Sequence, residues 1–597
     1  MSSSLTPSDA VRIASEWAGR LTEAVKNGDA EAFAAEFLQA GWLRGAYSAA
    51  SSLSLPLTLV GQTSSASPGI YAPSKDLAIQ STSSIGPPAL FSPPGNPNVV
   101  GVSGVLAFSL SSPPAVGRAF FRLFPDPSDG VWRANTLFTS LEELKGHEEQ
   151  EAPEVFMDEP WGELQAKKVA EIEADPTVLI VGAGQAGLMC AARFGRMGIR
   201  ALVIEKTPKV GDVWRNRYPN LSVHTPGYHT YMLYNPWPST FPKYVPKQKI
   251  GDFFEQYAVG QELAVWTSTT IAAPPTYDEE TRRWSVQLSR RGEKMSLSPR
   301  HILMATGTVG VPKMPSWPGM DTFKGTVYHS DAHKGAAPFK GKNVVVVGAC
   351  NSGADMCIDF VLKGAANVTM VQRSATCVLS ARVADAVLFR RNYPPTYSLA
   401  DQDFVFNSTP LPLLLKTMAG GATQALKAPD RALHEGLMKA GMKLTWEMEP
   451  GKGEVGLLGF LFDRVASGSL MDMGAGQMII DGKIKIKQGV EITHFESDSV
   501  VFAVGSKIPA DVVVLATGYT PAIDHYMAIF GPDAPGADLP LGGLDHEGEN
   551  RRAYRPSGVK GLWFAIGPFQ LVRFLSKHLG MQILAEELGL KPAQPPS

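Results

Sequence analysis

"TVLIVGAGQAGLMCAARFGRMGIRALVIEK", residues 177–206, joins an apolar strand, a glycine turn, a helix and a second apolar strand. Gly182 permits the tight turn, Gly184 lets a pyrophosphate approach the backbone, and Gly187 lets the helix pack closely on the strand. A G-x-G-x-x-G pattern alone is weak evidence, but its place between a strand and a helix is typical of a dinucleotide-binding turn. The stretch therefore predicts an α/β unit of the Rossmann type.

The end of the second strand indicates which part of a nucleotide this unit binds. Glu205 stands there, where a carboxylate can accept a hydrogen bond from a ribose hydroxyl. Gln185 and Ala186 begin the helix, whose N-terminus attracts phosphates. A tight strand-to-helix turn without a ligand is the alternative, and the complete unit favours a nucleotide site.

A second unit of the same kind occurs later in the chain. "VVVVGACNSGADM", residues 344–356, keeps Gly348 and Gly353 at the first and third glycine positions but has Cys350 at the second. A side chain at this position costs some proximity between the backbone and a pyrophosphate, whereas the helix N-terminus still attracts the phosphates. An empty duplicated fold is the alternative to a second nucleotide site.

The second unit ends in Gln372-Arg373-Ser374 rather than in an acid. A guanidinium suits a 2′-phosphate through paired charge-assisted hydrogen bonds, so this unit favours NADPH over NADH. Asn351 and Ser352, which open its helix, are further candidate ligands of the phosphates. A chain with one acid-terminated and one arginine-terminated unit is predicted to bind FAD and NADPH, as a flavin-dependent oxidoreductase does.

Composition and charge argue against several other functions. A net charge of -2 over 597 residues gives no basic surface for nucleic acid, and no apolar stretch is long enough for a membrane span. The four cysteines form no C-x-x-C pair, which argues against a disulfide reductase, and free thiols suit a reducing compartment. The first residues have no secretory signal, so a cytoplasmic protein is expected.

The predicted elements divide the chain into five segments. Helices followed by antiparallel strands predict a small α+β domain, and strand–glycine turn–helix units follow it after a charged linker. The segments are an α+β domain at 1–145, a linker at 146–175, the first part of an FAD-binding domain at 176–335, an NADPH-binding domain with a lid segment at 336–500, and the second part of the FAD-binding domain at 501–597. Residues 43–98 do not continue the N-terminal domain convincingly and predict a divergent loop or a stretch that folds poorly.

Further segments carry a resemblance to a known family. They are "GDVWRNRYPNLSVHTP" at 211–226, "ATG" at 305–307, "FKGTVYHS" at 323–330, "DMGAGQMIIDGKIKIKQG" at 472–489 and "LATGY" at 515–519. With the two glycine turns, they make residues 175–590 similar to the flavin-containing monooxygenases (class B flavoprotein monooxygenases), in particular the YUCCA-like and fungal members. Residues 117–149 resemble the end of the cone-shaped α+β domain of nuclear-transport-factor-like proteins, which often precedes the flavin domain in fungal members.

The resemblance implies two Rossmann-type domains, the second inserted in the first, after the cone-like domain. It implies that NADPH reduces FAD and that a C4a-peroxyflavin transfers one oxygen atom from O2 to a small organic substrate. His224 is the candidate for hydrogen bonding near the reactive oxygen, with a structural histidine as the alternative. The other implied flavin neighbours are Trp214, Arg217 and Thr225 beside the flavin, and Ala516, Thr517 and Gly518 closing its cavity.

Two departures from the family pattern bear on the reaction. His333 stands where the family has an aromatic residue and the Baeyer–Villiger members have tryptophan, which weakens a ketone-to-ester assignment. The asparagine that steadies the oxygenated flavin has no clear counterpart beside His224. The alternatives are therefore an NADPH oxidase that produces hydrogen peroxide and a Baeyer–Villiger-type ketone monooxygenase. The substrate stays open among a sulfide, an amine, a 2-oxo acid and a ketone.

Three remaining features have both a functional and a structural interpretation. His329 and His333 are four residues apart, but no third ligand completes a set, so no metal site is expected. The apolar and irregular run 386–420 predicts a substrate lid or a helical packing surface. The N-terminal domain is a candidate module for homodimerisation or ligand binding, and in a non-catalytic hypothesis it is carried on a flavin scaffold that has lost activity.

Overall fold

The computed structural model describes residues 5–45, 78–79, 84–93, 96, 98–111, 113–151, 159–464, 467–545 and 547–590. The prediction for residues 43–98 lies mostly outside these residues. None of the helices within them is both long and apolar enough to cross a membrane.

The N-terminal region is a helix packed on a mixed sheet. Ala10, Ile13, Trp17 and Leu21 recur at helical spacing and are buried, so this face of the first helix lies on the sheet. The sheet has the order β1-β6-β5-β4-β2, with β3 paired to β4, and β1 is parallel to β6. Its elements are α1 (Pro7–Asn27), α2 (Ala30–Ala35), β1 (Phe37–Gly45), β2 (Ala78–Ile79), β3 (Ala89–Phe91), β4 (Gly101–Ser111), β5 (Pro114–Pro125) and β6 (Trp132–Leu144).

A helix and a parallel sheet follow. The sheet has the order β25-β14-β7-β8-β9, and its central strands are short apolar runs buried on both faces. The elements of this region are α3 (Trp161–Ala174), β7 (Val178–Val181), α4 (Gln185–Arg196), β8 (Ala201–Ile204), α5 (Asp212–Arg215), α6 (Lys247–Gly260), β9 (Ala264–Trp266) and β14 (His301–Met304), with β25 (Leu562–Phe564) added by the C-terminal region. Between β9 and β14 lies an antiparallel sheet of β10 (Thr269–Ile271), β11 (Thr276–Asp278), β12 (Arg283–Arg290) and β13 (Glu293–Leu297).

The second parallel sheet has the order β15-β24-β16-β17-β20. Its elements are β15 (Thr326–His329), β16 (Asn343–Val347), α7 (Asn351–Leu362), β17 (Asn367–Gln372), β20 (Lys485–Gln488) and β24 (Val512–Leu515). In sequence these strands lie between β14 and β25 of the first sheet. The structure is thus a mixed α/β fold with two parallel sheets.

The second parallel sheet extends beyond the predicted range 336–500 at both ends. The range 336–500 leaves out β15 and β24, yet β24 pairs with β16 on one side and with β15 on the other. The sequence predicts Val512–Leu515 as part of the flavin domain. Their pairing with strands far away in the sequence places them in the second sheet instead.

A helical insert separates two paired strands next to the second sheet. These are β18 (Cys377–Ser380) and β19 (Ser469–Asp472), which are parallel. The insert, residues 381–468, contains α8 (Ala381–Ala384), α9 (Arg390–Asn392), α10 (Leu399–Asn407), α11 (Leu411–Thr417), α12 (Thr423–Lys427), α13 (Arg431–Lys439) and α14 (Gly456–Phe462). The predicted lid segment 386–420 is therefore mainly helical.

The C-terminal part of the described chain also contains a short antiparallel sheet and three helices. The remaining elements are α15 (Ala475–Ile480), β21 (Ile492–Phe495), β22 (Ser499–Phe502), β23 (Lys507–Pro509), α16 (Ile523–Phe530) and α17 (Phe569–Glu587). Buried side chains of α17 pack with α4 of the first sheet and with Phe138 of the N-terminal sheet, so one hydrophobic core joins these regions.

Candidate functional site

The first glycine turn has room for a ligand at one position only. Gly182 has φ +109°, and a Cβ there would lie 2.7 Å from the carbonyl oxygen of Ala305. A Cβ at Gly187 would lie 1.9 Å from the carbonyl oxygen of Gly182. A Cβ at Gly184 would have nothing within 4 Å. The fold itself therefore requires glycine at the first and third positions, whereas the open side of Gly184 fits the close approach of a pyrophosphate.

Glu205 is held at this turn. Its Oε2 accepts a hydrogen bond from the backbone N–H of Ala183 at 2.9 Å, and its Oε1 accepts one from the backbone N–H of Thr207 at 2.9 Å. The carboxylate is buried directly beside the turn that Gln185 and Ala186 continue into α4. The chemistry of these residues fits the adenosine half of a dinucleotide.

The second turn repeats the first. Gly348 has φ +128°, and a Cβ there would lie 2.3 Å from the carbonyl oxygen of Ala516. A Cβ at Gly353 would lie 2.1 Å from the carbonyl oxygen of Gly348. Cys350 has φ -101° and ψ -170°, close to the φ -78° and ψ -174° of Gly184. The cysteine therefore occupies an ordinary extended conformation without strain, and burial raises the pKa of its thiol, which keeps it protonated at neutral pH.

The end of the second unit differs from that of the first. Gln372 is buried, and its side chain binds the backbone N–H and carbonyl of Lys443 at 2.8 Å. Arg373 is exposed, and the described residues give its guanidinium no ion pair. Ser352 lies in the first turn of α7, while the Oδ1 of Asn351 accepts a hydrogen bond from the backbone N–H of Met471 at 2.8 Å. The exposed guanidinium of Arg373 has the charge that suits an anion, and the side chain of Asn351 binds β19.

Ala516, Thr517 and Gly518, which the sequence predicts to close the flavin cavity, follow β24 of the second sheet. Ala516 packs against Gly348 of the second glycine turn. Ala305 occupies the corresponding place at the first turn, against Gly182. The two "ATG" segments are therefore equivalent, and each of them supports one glycine turn.

The segment 214–225 lies between the two units. Trp214 packs against the hydrophobic cores of both sheets, and its ring centroid is 6.4 Å from that of Phe569 at the start of α17. The Nε of Arg217 lies 3.6 Å from Asp331, which also accepts a hydrogen bond from Tyr519 at 2.9 Å. The segment thus contacts both parallel sheets and the linker between them.

Asp355 of α7 anchors this segment, and the sequence analysis missed it. Its Oδ2 accepts a hydrogen bond from the hydroxyl of Tyr218 at 2.7 Å, and the Nε2 of His224 lies 3.2 Å from the same oxygen. Burial, together with the carboxylate of Asp355, raises the pKa of Tyr218. His224 is therefore tied to the helix of the second turn, and partly buried Thr225 follows it. The available signal was an aspartate among apolar residues of a predicted buried helix.

His333 fills its place in the family segment as a buried polar anchor. Its Nδ1 lies 2.8 Å from the hydroxyl of Tyr328, and its Nε2 lies 2.9 Å from Asp359. His329 lies 3.1 Å from the carbonyl oxygen of Gly518. Within the described ranges, no three side chains of metal-ligating type lie close enough to hold an ion. His329 is the last residue of β15, and His333 thus fixes the chain that follows β15 to α7 through Asp359.

His229 is a second group that the sequence analysis missed. Its ring is enclosed by the rings of Phe389 and Tyr393, with centroids 4.8 and 4.7 Å away. Neither ring nitrogen has a hydrogen-bond partner among the described residues. Burial, with a smaller contribution from the charge of Arg573, lowers the pKa of His229 to about 3, so the ring is neutral at pH 7. No sequence signal distinguishes His229 from the neighbouring histidine His224.

Comparison with known proteins assigns the family. A family described as pyridine nucleotide-disulphide oxidoreductase matches residues 179–385. The chain is 30% identical over 361 residues to the probable indole-3-pyruvate monooxygenase YUCCA3 of Arabidopsis thaliana, an alignment that covers 58% of this chain and 74% of that protein. The chain belongs to the class B flavoprotein monooxygenases. It is an oxidoreductase, and the family uses FAD and NADPH.

The comparisons found two further similar proteins. The chain is 34% identical over 205 residues to the indole-3-pyruvate monooxygenase YUCCA1 of Oryza sativa subsp. japonica. This alignment covers 34% of the chain and 49% of that protein. A solved structure of a flavin-containing monooxygenase from Stenotrophomonas maltophilia matches with a TM-score of 0.46 and 18% identity, over 69% of this chain and 99% of that one.

Proposed function

We propose that this protein is an NADPH- and FAD-dependent monooxygenase that inserts one oxygen atom from O2 into a small organic substrate. The observation that carries the proposal is the pair of glycine turns, one beside a buried carboxylate and the other beside an exposed arginine. A neutral ribose hydroxyl suits the first and a 2′-phosphate suits the second. The two Rossmann-type domains and the cone-like N-terminal domain are part of this proposal.

The residues divide into two binding groups and a connecting segment. Gly182, Gly184, Gly187, Gln185, Ala186 and Glu205 would hold FAD, and Gly348, Ser352, Gly353 and Arg373 would hold NADPH. Bound FAD, once reduced by NADPH, supplies the activation of O2. The flavin would lie beside Trp214, Arg217 and Thr225. The contact between His224 and the carboxylate of Asp355 would keep His224 in place there.

The helical insert and α17 would exclude water from the flavin site. Phe389 and Tyr393 of the insert enclose His229, four residues after Thr225, and α17 begins beside Trp214. A closed apolar wall limits the wasteful release of hydrogen peroxide. The neutral ring of His229 offers one donor and one acceptor to a substrate on this side.

Reaction with each nucleotide followed by oxygen tests the proposal. Purified protein is expected to contain FAD that NADPH bleaches without oxygen much faster than NADH does. Under ¹⁸O2, one labelled atom should enter a substrate from a panel of a thioether, a tertiary amine, a ketone and indole-3-pyruvate, the 2-oxo acid in the names of the Arabidopsis and rice relatives. Hydrogen peroxide in full yield with every substrate would assign an NADPH oxidase instead. A protein that neither contains nor rebinds FAD would contradict the proposal.

Cytoplasmic location and homodimerisation stay predictions, as does the identity of the substrate. Fractionation and measurement of mass in solution test the first two.

A further inference from the structure

Arginines of the N-terminal sheet reach across the domain boundary to α10. Arg118 of β5 forms an ion pair with Asp401 in the first turn of that helix. Arg122, also of β5, donates a hydrogen bond to the hydroxyl of Ser408 at 2.9 Å, just after the helix ends. The side chains of Arg118 and Asp401 are 13% and 6% exposed, so solvent screens this pair little.

A third arginine binds the end of the same helix. Arg44 of β1 donates to the backbone carbonyl of Asn407, the last residue of α10. Its guanidinium also pairs with Glu549, with an N–O distance of 2.5 Å. Both ends of α10 are therefore fixed to the N-terminal sheet.

Apolar contacts lie between these polar ones. Phe404 of α10 is fully buried, and its ring centroid lies 6.2 Å from that of Phe120 and 5.5 Å from that of Phe138. The guanidinium carbon of Arg118 lies 3.9 Å above the Phe404 ring. The contact thus has the buried aromatic centre and polar rim of a stable interface.

The opposite side of α10 binds the terminal helix. Asp403 comes two residues after Asp401, which places it about 200° further around the helix. It accepts two hydrogen bonds from Arg573 of α17, at 2.8 and 2.7 Å. Arg573 also donates to the backbone carbonyl of His229 at 3.2 Å. The two aspartates therefore connect the N-terminal sheet, through α10, to the apolar surroundings of His229. We call His229, Phe389 and Tyr393 together the His229 wall.

Within the part of the chain that the structure describes, both faces of the N-terminal sheet are covered. Helix α1 covers one face, and α10 with α17 covers the other. A direct bond between Ser140 of β6 and His578 of α17, at 3.0 Å, adds to this contact. The face of the sheet opposite α1 is therefore occupied by other elements of the same chain.

We propose that the N-terminal domain is an intramolecular clamp. Its sheet binds α10 and thereby holds the His229 wall against the proposed flavin site. The identity of that site rests on the proposed function, whereas the clamp rests on the contacts themselves. Arg118 and Asp401 are positioning residues, since neither contacts a candidate ligand group. Their loss should loosen α10 and admit water to the site without removing FAD.

Hydrogen exchange tests the clamp without reference to activity. Arg118→Met and Asp401→Asn are expected to raise amide exchange in residues 399–407 by about tenfold or more, because local opening becomes easier. Arg133→Met, which breaks an ion pair with Asp129 inside the N-terminal domain, is the matched control and should leave this exchange unchanged. The effect of the double variant should be smaller than the sum of the two single effects, because both changes remove the Arg118–Asp401 ion pair. Should Arg118→Met fail to fold, Arg118→Lys and the isosteric Asp401→Asn carry the test.

The same variants link the clamp to the reaction. FAD content should equal that of the parent protein, while the share of consumed NADPH that ends as hydrogen peroxide should rise about threefold or more as water enters. Unchanged exchange in residues 399–407 in every interface variant would overturn the clamp, as would unchanged peroxide release from a loosened α10. A parent protein without FAD would contradict the proposed function, and the exchange experiment would still decide on the clamp.

Discussion

The two glycine turns share a backbone but not a sequence. At the first position, Gly182 and Gly348 both have positive φ and face a backbone carbonyl. At the third, Gly187 and Gly353 both pack a helix onto the turn so closely that no Cβ fits. The fold therefore dictates two of the three glycines in each unit, and substitutions there test the fold and the ligand together.

The second position teaches the converse. Gly184 and Cys350 have nearly the same extended conformation, which any residue can adopt. Only a ligand close to the backbone would demand glycine there. The units differ again at the end of the second strand, where Glu205 is buried and fully engaged while Arg373 is exposed. The two units thus differ at positions where the fold accepts any residue but a bound ligand would select one.

The largest effect is expected from alanine at the first glycine. Gly182→Ala should yield protein without FAD, and Gly348→Ala should retain FAD but bind NADPH about 100-fold more weakly or worse, because each Cβ meets a carbonyl at a strained φ. Absorbance of the purified protein and NADPH titration measure the two effects. Gly195→Ala, in a helix with open space around the residue, is the control and should be neutral or stabilising. Full FAD content in Gly182→Ala would contradict the assignment of the first turn.

Arg373→Gln should have the next largest effect. Loss of charge-assisted hydrogen bonds to a 2′-phosphate, at about 1.5–3 kcal/mol, should weaken NADPH binding about 10- to 100-fold. NADH binding should stay nearly unchanged, since NADH has no such phosphate. The dependence of flavin reduction on each nucleotide measures both affinities, with Arg391→Gln at another exposed arginine as control. An equal loss for NADPH and NADH would remove the difference that we draw between the two units.

A substitution of Asp355 in α7 should have an intermediate effect. The equivalent position in α4, the helix of the first glycine turn, is Met189. Asp355→Asn leaves the contacts to Tyr218 and His224 only partly satisfied, which should cost about 1–3 kcal/mol of unfolding free energy. Flavin reduction at saturating NADPH should slow, while FAD content stays unchanged. Met189→Leu keeps the volume but removes the hydrogen bond that the backbone N–H of Leu233 donates to the Met189 sulfur at 3.3 Å, so it should also cost about 1–3 kcal/mol, without slowing flavin reduction. Chemical denaturation and stopped-flow absorbance provide the two measurements, and equal reduction rates would limit Asp355 to a role in stability.

The sequence predicts well what short segments determine. The strand, turn and helix at both glycine turns are confirmed, because the apolar runs and the glycines that specify them are contiguous. The placement of Val512–Leu515 is missed, since their partners in β15 and β16 are far away in sequence. Asp403 and Arg573 are missed for the same reason, because a buried ion pair between two helices leaves no local pattern. Of the candidate site, the turns were therefore predictable and the wall beside them was not.

The smallest effect is expected at Cys350. Its backbone already has the conformation of Gly184, so Cys350→Gly should change NADPH affinity less than about threefold while lowering stability by about 0.5–1 kcal/mol through the added freedom of the unfolded chain. Fluorescence titration with NADPH and chemical denaturation measure the two quantities, and Cys350→Ala separates the thiol from the Cβ. Affinity that tightens about tenfold with glycine, a gain of about 1.4 kcal/mol, would mean that the side chain keeps the pyrophosphate from the backbone. The second turn would then be a weakened copy of the first, whereas unchanged affinity makes it a working variant that binds phosphate mainly through the helix N-terminus and Arg373.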